Sequence, residues 1–216
     1  MNVNFDLLIA NLKKNNMDAF YAENKEEALS IVKKLLPDGA TVAHGGSKTL
    51  AACGVPSLLK SGNYRYLDRD APGLTREQIE EIYRQAFFSD VYLSSTNAIT
   101  LDGTLYNVDG NSNRVAALLY GPKSVVILAG VNKIVPDLNA AAARVKHTAA
   151  PLNAQRLNCA TYCKEKGRCV SAELDAAHMS DGCGSQARIC CNYVISGKQR
   201  VPGRMKIILI NEDLGF

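Results

Sequence analysis

The 216-residue chain reads as an α/β protein: a mostly parallel sheet with flanking helices and a cysteine-rich insertion. Three observations predict this. Helix-like and strand-like apolar patterns alternate from the start of the chain, the order from which parallel sheets with helices on both faces are built. One run, Ser124 to Ala129 (SVVILA), is almost wholly apolar, as a strand buried on both faces must be. Six of the seven cysteines fall between Asn158 and Asn192, a stretch with little apolar content of its own.

Taken in order, Phe5, Leu8, Ile9 and Leu12 recur at helical spacing and end in Lys13-Lys14-Asn15-Asn16, an amphipathic opening helix. Met17 to Ala22 follows as a short strand. Asn24 and Glu27 resemble a capping box for a helix whose apolar face is Ala28, Ile31, Val32 and Leu35. Past the turn Pro37-Asp38-Gly39, Ala40 to Ala43 is a buried strand running into His44-Gly45-Gly46-Ser47, and Lys48 to Cys53 reads as a helix. A looser segment with Pro56, Gly62 and Pro72-Gly73 leads to a helix begun by Thr75 and Gln78. Asp90 to Ser94 is a strand. Ala98-Ile99 and Thr104 to Val108 read as a hairpin closed by Asp102-Gly103. The apolar stretch Val115 to Tyr120 and the break at Gly121-Pro122 precede SVVILA, and Val135 to Val145 is an alanine-rich helix. Tyr193 to Ile195 and Met205 to Ile210 are the closing strands, so the segment 158–192 reads as an insertion before them.

Apolar residues make up 47% and charged ones 21%, as in an ordinary globular protein. The net charge is +4, with no Lys/Arg run interleaved with aromatics, which speaks against nucleic acid as a partner. No apolar run approaches the roughly 18 residues of a membrane span. Asp6 interrupts the first apolar stretch and no small-residue cleavage site follows it, unlike a signal peptide. The expectation is a cytoplasmic protein with residues 1–216 in a single domain.

Several residues have the chemistry of a binding site. Gly45-Gly46-Ser47 lies between a strand and a helix, where free backbone amides can meet an anion and glycine allows close approach; Ser47 is equally a plain N-cap. Lys48 and Lys133 would add positive charge. Asn97, Thr100, Asp109, Asn113 and Arg114 cluster around glycines between strands, where they could orient a small ligand, with Arg114 holding a carboxylate or phosphate bidentately. The plainer reading of these loops is a set of turns in which Asn and Asp bond their own backbone. His44, beside the double glycine, is the one histidine placed for acid–base work; His147 and His178 are expected to face solvent.

The cysteines are spaced C-x3-C-x5-C-x13-C-x6-C-C. Thiols together in a reducing compartment point to metal or redox work, because disulfides do not persist there. Thiolates select zinc, copper(I) or iron–sulfur clusters. Structural zinc favours two close pairs of ligands, and no C-x2-C pair occurs; the bacterial ferredoxin run is also absent. An iron–sulfur cluster tolerates looser spacing and comes first, ahead of structural zinc, a disulfide or redox pair, and free thiols. Cys190 and Cys191 are adjacent, and neighbouring side chains of an extended segment point to opposite faces, which sets them apart as ligands to one cluster.

The strings VAHGGSKTLAACGV, YLSSTNAITLDGTLYNVDGNSNRVAALLYGPKSVVILAGVNKIV and AAPLNAQRL together resemble the lactate-utilisation (LUD) domain family, whose motifs run in this order. The terminal pieces CKEKGRC, CGSQARIC and GRMKIILINEDLGF resemble the cysteine-bearing tail of its standalone members. The resemblance implies a fold similar to the sugar-phosphate isomerase and CoA-transferase-like sheet proteins. It also implies a link to oxidation of lactate to pyruvate, in which a small LUD protein acts beside iron–sulfur partner subunits. The family's four-cysteine pattern falls on Cys163, Cys169, Cys183 and Cys190, the implied ligands of an iron–sulfur cluster of the 4Fe-4S type, with zinc as the alternative. Cys159 and Cys191 are extra thiols, and Val170 to Gly182 looks like an insertion. Asn111-Ser112 stands where the family's D-G-T-G-N-R has Thr-Gly.

The expected ligand is a small anionic metabolite, bound at the carboxyl ends of the sheet strands by Gly45, Gly46, Ser47, Asn97, Thr100, Asp109, Asn113, Arg114 and Lys133. Two other functions stay open: a zinc-stabilised or metal-free assembly subunit, and an enzyme acting on a phosphorylated or acyl-CoA metabolite. No carboxylate nucleophile sits in a motif, and no G-x-G-x-x-G is present for a nicotinamide. Self-association into a homo-oligomer stays open as well.

Overall fold

A computed structural model describes residues 3–173 and 178–216. Residues 1–2, and residues 174–177 within the expected insertion Val170 to Gly182, lie outside the described residues. In chain order the elements are α1 (Phe5–Lys14), β1 (Asp18–Ala22), α2 (Lys25–Leu35), β2 (Thr41–His44), α3 (Lys48–Ala52), α4 (Val55–Ser61), β3 (Arg65–Leu67) and α5 (Arg76–Gln85). There follow β4 (Val91–Ser94), β5 (Ala98–Thr100), β6 (Leu105–Asp109), α6 (Asn113–Leu119), β7 (Ser124–Gly130) and β8 (Ile134–Val135). The chain closes with α7 (Leu138–Arg144), α8 (Ala150–Arg156), α9 (Tyr162–Lys166), β9 (Asn192–Ser196) and β10 (Met205–Ile210).

The helix starts are local chemistry. Asn4, Asn24, Ser47, Thr75, Asp137 and Thr161 each accept a hydrogen bond from a backbone N–H in the first turn of their helix. Thr75 and Gln78 complete a reciprocal capping box. The helix expected from Val135 begins three residues later, because Val135 is drawn into β8 and Asp137 supplies the cap.

Six strands form a wholly parallel sheet in the order β1-β10-β7-β4-β2-β3. Successive side chains alternate between its faces, as strand geometry requires. Val125, Ile127, Ile207 and Leu209 pack with Leu8, Leu12 and Leu118 on one side. Val126, Leu128, Ile208 and Ile210 pack with Ala28, Val32, Leu50 and Leu59 on the other. Both faces are covered, which is why these strands carry no polar alternation.

The expectation of one mostly parallel sheet holds for these six strands and is incomplete. A second sheet, β8-β5-β6-β9, pairs antiparallel at β5–β6 and β6–β9 and parallel at β5–β8. Ile99 and Leu105 face the main core, while Ala98, Tyr106 and Val108 face α7. This sheet is a layer between the main core and α7.

Candidate functional site

Because the main sheet is wholly parallel, the carboxyl ends of its strands share one edge. There the chain leaves β2 through Gly45–Ser47, β4 through Ser95–Asn97, and β7 through Val131–Lys133. They surround a cavity of about 230 Å³. Of the residues expected to form a site, Gly46, Ser47, Asn97, Asp109, Asn113, Arg114 and Lys133 line it.

Two expected residues stand back from the wall. Thr100 closes the β5–β6 hairpin: its hydroxyl bonds Asp102 and the Thr104 carbonyl and accepts from the Thr104 N–H. A short polar side chain beside an Asp-Gly turn satisfies the turn first. Gly45 makes room, since a Cβ there would meet the Arg114 stem at 3.1 Å and the Tyr92 hydroxyl at 3.1 Å.

Arg114 lines the cavity, but its donors are turned toward protein. Nη1 donates to the Ser95 carbonyl at 3.1 Å and Asn107 Oδ1 at 2.6 Å; Nη2 donates to Asn97 Oδ1 at 3.0 Å and the Val108 carbonyl at 2.9 Å. Nε lies 3.8 Å from Asp109, whose carboxylate also accepts the Val115 N–H. With four hydrogen bonds from Nη1 and Nη2 and Nε facing Asp109, Arg114 is a brace joining β4, β6 and α6, and the bidentate ligand clamp is not its role. Asn97 serves the same frame, its Oδ1 accepting from Arg114 and from the Val108 N–H at 2.9 Å.

Lys133 is only 2% exposed. Its Nζ donates to Thr49 Oγ1 at 2.8 Å, Ser95 Oγ at 2.9 Å and the main-chain oxygen of Phe216 at 3.2 Å. Burial, reinforced by the Arg144 and Arg114 charges, pushes its pKa down to about 7. The closing residues are held over the site, because Asn132 Nδ2 donates to the Gly215 carbonyl and Thr49 Oγ1 to that of Leu214. Among the described residues the wall carries the basic side chains Lys48, Arg69, Arg114, Lys133 and Arg156 and the acid Asp109. That balance selects an anion.

His44 lies behind this wall. Its Nδ1 is 2.9 Å from the Gly45 carbonyl and its Nε2 is 3.7 Å from Asp70, while the ring stacks on Tyr66. It borders a separate small void and not the cavity, so acid–base work at the main site is not open to it. His147 and His178 are exposed, as expected.

The cysteine segment packs against the far wall, and Cys190 is part of that wall. Between α7 and α8, Val145–Ala149 forms one π-helical turn, and Val145, Ala149 and Ala150 face the cavity. Pro151 has no N–H to return into this turn. The Lys146 carbonyl accepts the Cys169 N–H instead, at 2.9 Å. Arg188 ties the other end, donating to the carbonyls of Cys190, Cys183 and Ser180 and to the Tyr193 hydroxyl. Burial pushes the Cys190 thiol up to about 12, and the neighbouring sulfurs of Cys163, Cys169 and Cys183 push the same way. Cys191 is exposed. Cys53 is buried in the main core, away from this segment.

A sequence profile described as the LUD domain matches residues 5–210. The chain belongs to the LUD domain family. The crystal structure of a DUF162 family protein from Deinococcus radiodurans is similar to it in fold, with a TM-score of 0.50 at 14% identity over 97% of this chain and 96% of that one. The structure of eIF2B beta from Chaetomium thermophilum matches 53% of this chain and 44% of that one, at 18% identity and a TM-score of 0.36, too low to argue from. No curated protein matches the chain.

Within this LUD domain, sequence reasoning missed Thr49, Ser95, Asn153, Arg156 and Phe216. Asn153 and Arg156 had a signal, since A-P-x-N-x-x-R sets them three residues apart on one face of α8. Thr49, Ser95 and Phe216 had none, for each is an ordinary residue made special by Lys133.

Proposed function

We propose that this LUD protein binds a small carboxylate of the 2-hydroxy or 2-oxo acid class in the cavity, beside an iron–sulfur cluster held by Cys163, Cys169, Cys183 and Cys190. The observation that carries the reading is the position of Cys190, which lines a cationic cavity and belongs to the segment that carries the other three thiols. The donor set fits a cluster in number and in kind. As thiolates these four sulfurs would repel one another, and bound iron offsets that repulsion. Among the described residues no group of three or more His, Cys, Asp or Glu side chains is gathered so that it could hold a metal ion.

When bound, such a cluster supplies single-electron transfer next to the ligand. The chain's own residues attract the anion through Lys48, Arg69 and Arg156 and hold the cavity in shape through Arg114. Iron–sulfur partner subunits would then receive or deliver the electrons, in keeping with a role in oxidising lactate to pyruvate.

The test is anaerobic purification or reconstitution with iron and sulfide, followed by titration with lactate and pyruvate. Broad visible absorbance, an electron paramagnetic resonance signal on reduction, and a change of that signal on adding either acid are expected. Cys183→Ser removes the absorbance, and Cys191→Ser leaves most of it. A colourless protein that retains one zinc ion overturns the cluster, and a cluster signal unmoved by either acid overturns the shared site.

A further inference from the structure

A lysine this deeply buried ordinarily faces a carboxylate. Among the described residues no Asp or Glu side chain forms an ion pair with Lys133. Its amine meets two hydroxyls and a main-chain oxygen of Phe216, the last residue of the 216-residue sequence, and it stands in the wall of a cavity rich in cationic side chains. A lysine serving only as a brace needs neither the cavity nor the cations beside it. Burial next to other cationic groups makes the unprotonated amine, whose lone pair nucleophilic attack requires, accessible near neutral pH.

The two hydroxyls are not equivalent. Thr49 Oγ1 gives its hydrogen to the Leu214 carbonyl at 2.9 Å, so toward Lys133 it is an acceptor. Ser95 Oγ has only long contacts for its hydrogen, 3.5 Å to Thr49 Oγ1 and 3.4 Å to the Thr96 carbonyl. That hydrogen is free to serve the amine or a ligand oxygen. The Ser95 backbone is meanwhile fixed by Arg114, which donates to its carbonyl.

We propose that Lys133 is a nucleophile that forms an imine with the keto carbon of a small 2-oxo acid held in this cavity, with the Ser95 hydroxyl relaying the proton. This rests on the reading of the cavity as a carboxylate site and adds covalent chemistry to it. The amine lone pair forms the C–N bond as the carbonyl π pair moves onto oxygen. The proton lost from nitrogen passes through Ser95 Oγ to that oxygen. The carbinolamine hydroxyl then leaves as water, taking as its second proton the one that nitrogen gives up, while nitrogen supplies the pair for the C=N bond. Amine and ketone become imine and water, with no net oxidation or reduction.

The experiment is borohydride trapping on the full-length protein with pyruvate as the probe, read by peptide mass mapping, with binding of pyruvate and lactate measured separately by calorimetry. Lactate carries the same charge and has no carbonyl to trap. One reduced pyruvate on the peptide containing Lys133 is expected, absent from Lys133→Arg and Lys133→Met and suppressed by excess lactate. Ser95→Ala traps at least about tenfold more slowly, the low end of what a positioned proton-transfer group contributes. Saturable pyruvate binding with no adduct on Lys133 overturns the imine and leaves the carboxylate site standing. Adducts spread over surface lysines and unchanged in Lys133→Arg overturn it too. Absence of binding by either acid removes the site and the imine together. Ser95→Ala keeps Lys133 itself and the adduct is read first on the native protein, so the test does not depend on either Lys133 variant folding.

Discussion

The main sheet and the cysteine segment are ordered by different forces. In the sheet, β7 and β10 are apolar on both faces and pair along six residues, from Met205 opposite Val125 to Ile210 opposite Gly130. Burial of that apolar surface, worth about 25 cal/mol per Å², holds them without help from any one polar contact. Among its described residues the segment between α8 and β9 has a five-residue α-helix and a 3-10 turn, Val170–Glu173, and its buried residues include the polar Thr161 and Ser171. It is held by side-chain bonds to backbone: Ser185 to the Ala160 carbonyl, Ser171 to that of Asp181, and Arg188 to three carbonyls. A region built this way opens locally at a lower free energy than the sheet beside it.

The sharpest break in the contrast is Arg114, a polar residue on which the sheet side does depend. Arg114→Met strands Asn107, Asn97 and the Asp109 carboxylate, and the loss is expected to be about 3–5 kcal/mol, as when one partner of a buried ion pair is removed. Urea unfolding measures it; a loss under about 1 kcal/mol would show that Arg114 is not the brace.

Lys133 supplies the next effect, and its sign depends on pH. Its folded pKa is depressed to about 7 from an ordinary 10.5, so the unfolded chain binds more protons between those values. The penalty for burying the charge is fully present below about pH 7, declines as pH rises, and vanishes above the unfolded value. Lys133→Met is therefore expected to compare more favourably with the native chain at pH 6 than at pH 10, by more than about 1 kcal/mol. Thermal melts at both pH values check this, and equal differences at the two would exclude it.

On the segment side, Arg188→Ala removes four hydrogen bonds that cross the loop. Proteolysis within 158–192 should rise about tenfold, the loss of roughly 1.4 kcal/mol of local stability. The sheet's urea midpoint should stay within its error. If both change together, the two regions form one cooperative unit.

The smallest effect concerns the loop between them. Ser112 sits at φ +66°, a left-handed conformation that favours glycine, at the position where the family pattern has Gly. Ser112→Gly is expected to stabilise the chain by up to about 1 kcal/mol, measured by denaturant melts. A decrease would mean that the serine side chain has a contact that compensates for its backbone.

The same contrast explains what could be read in advance. Strands buried on both faces announce themselves through runs such as SVVILA and MKIILI, and N-caps through Asn24, Ser47 and Thr75, because those signals are local. α4 was hidden by Pro56 and Gly62, which read as loop breakers. Pro56 sits at the start of the helix, where its missing N–H costs nothing, and Gly62 sits just past its end. The second sheet was hidden because a hairpin does not say which strands will flank it.

From the sequence alone came the alternation of helix and strand, the glycine and Asn-Asp loops that line the cavity, and a cysteine spacing suited to four ligands. Those features reside in neighbouring residues, within reach of dihedral preference and side-chain period. Only the tertiary structure decided that Arg114 turns its donors inward, and that Cys190 stands in the cavity wall. It alone set Lys133 against Thr49, Ser95 and Phe216, which lie 84, 38 and 83 residues away along the chain. Desolvation, opposed charge and the direction of a donor depend on what folds back over a residue, and no local pattern carries that information.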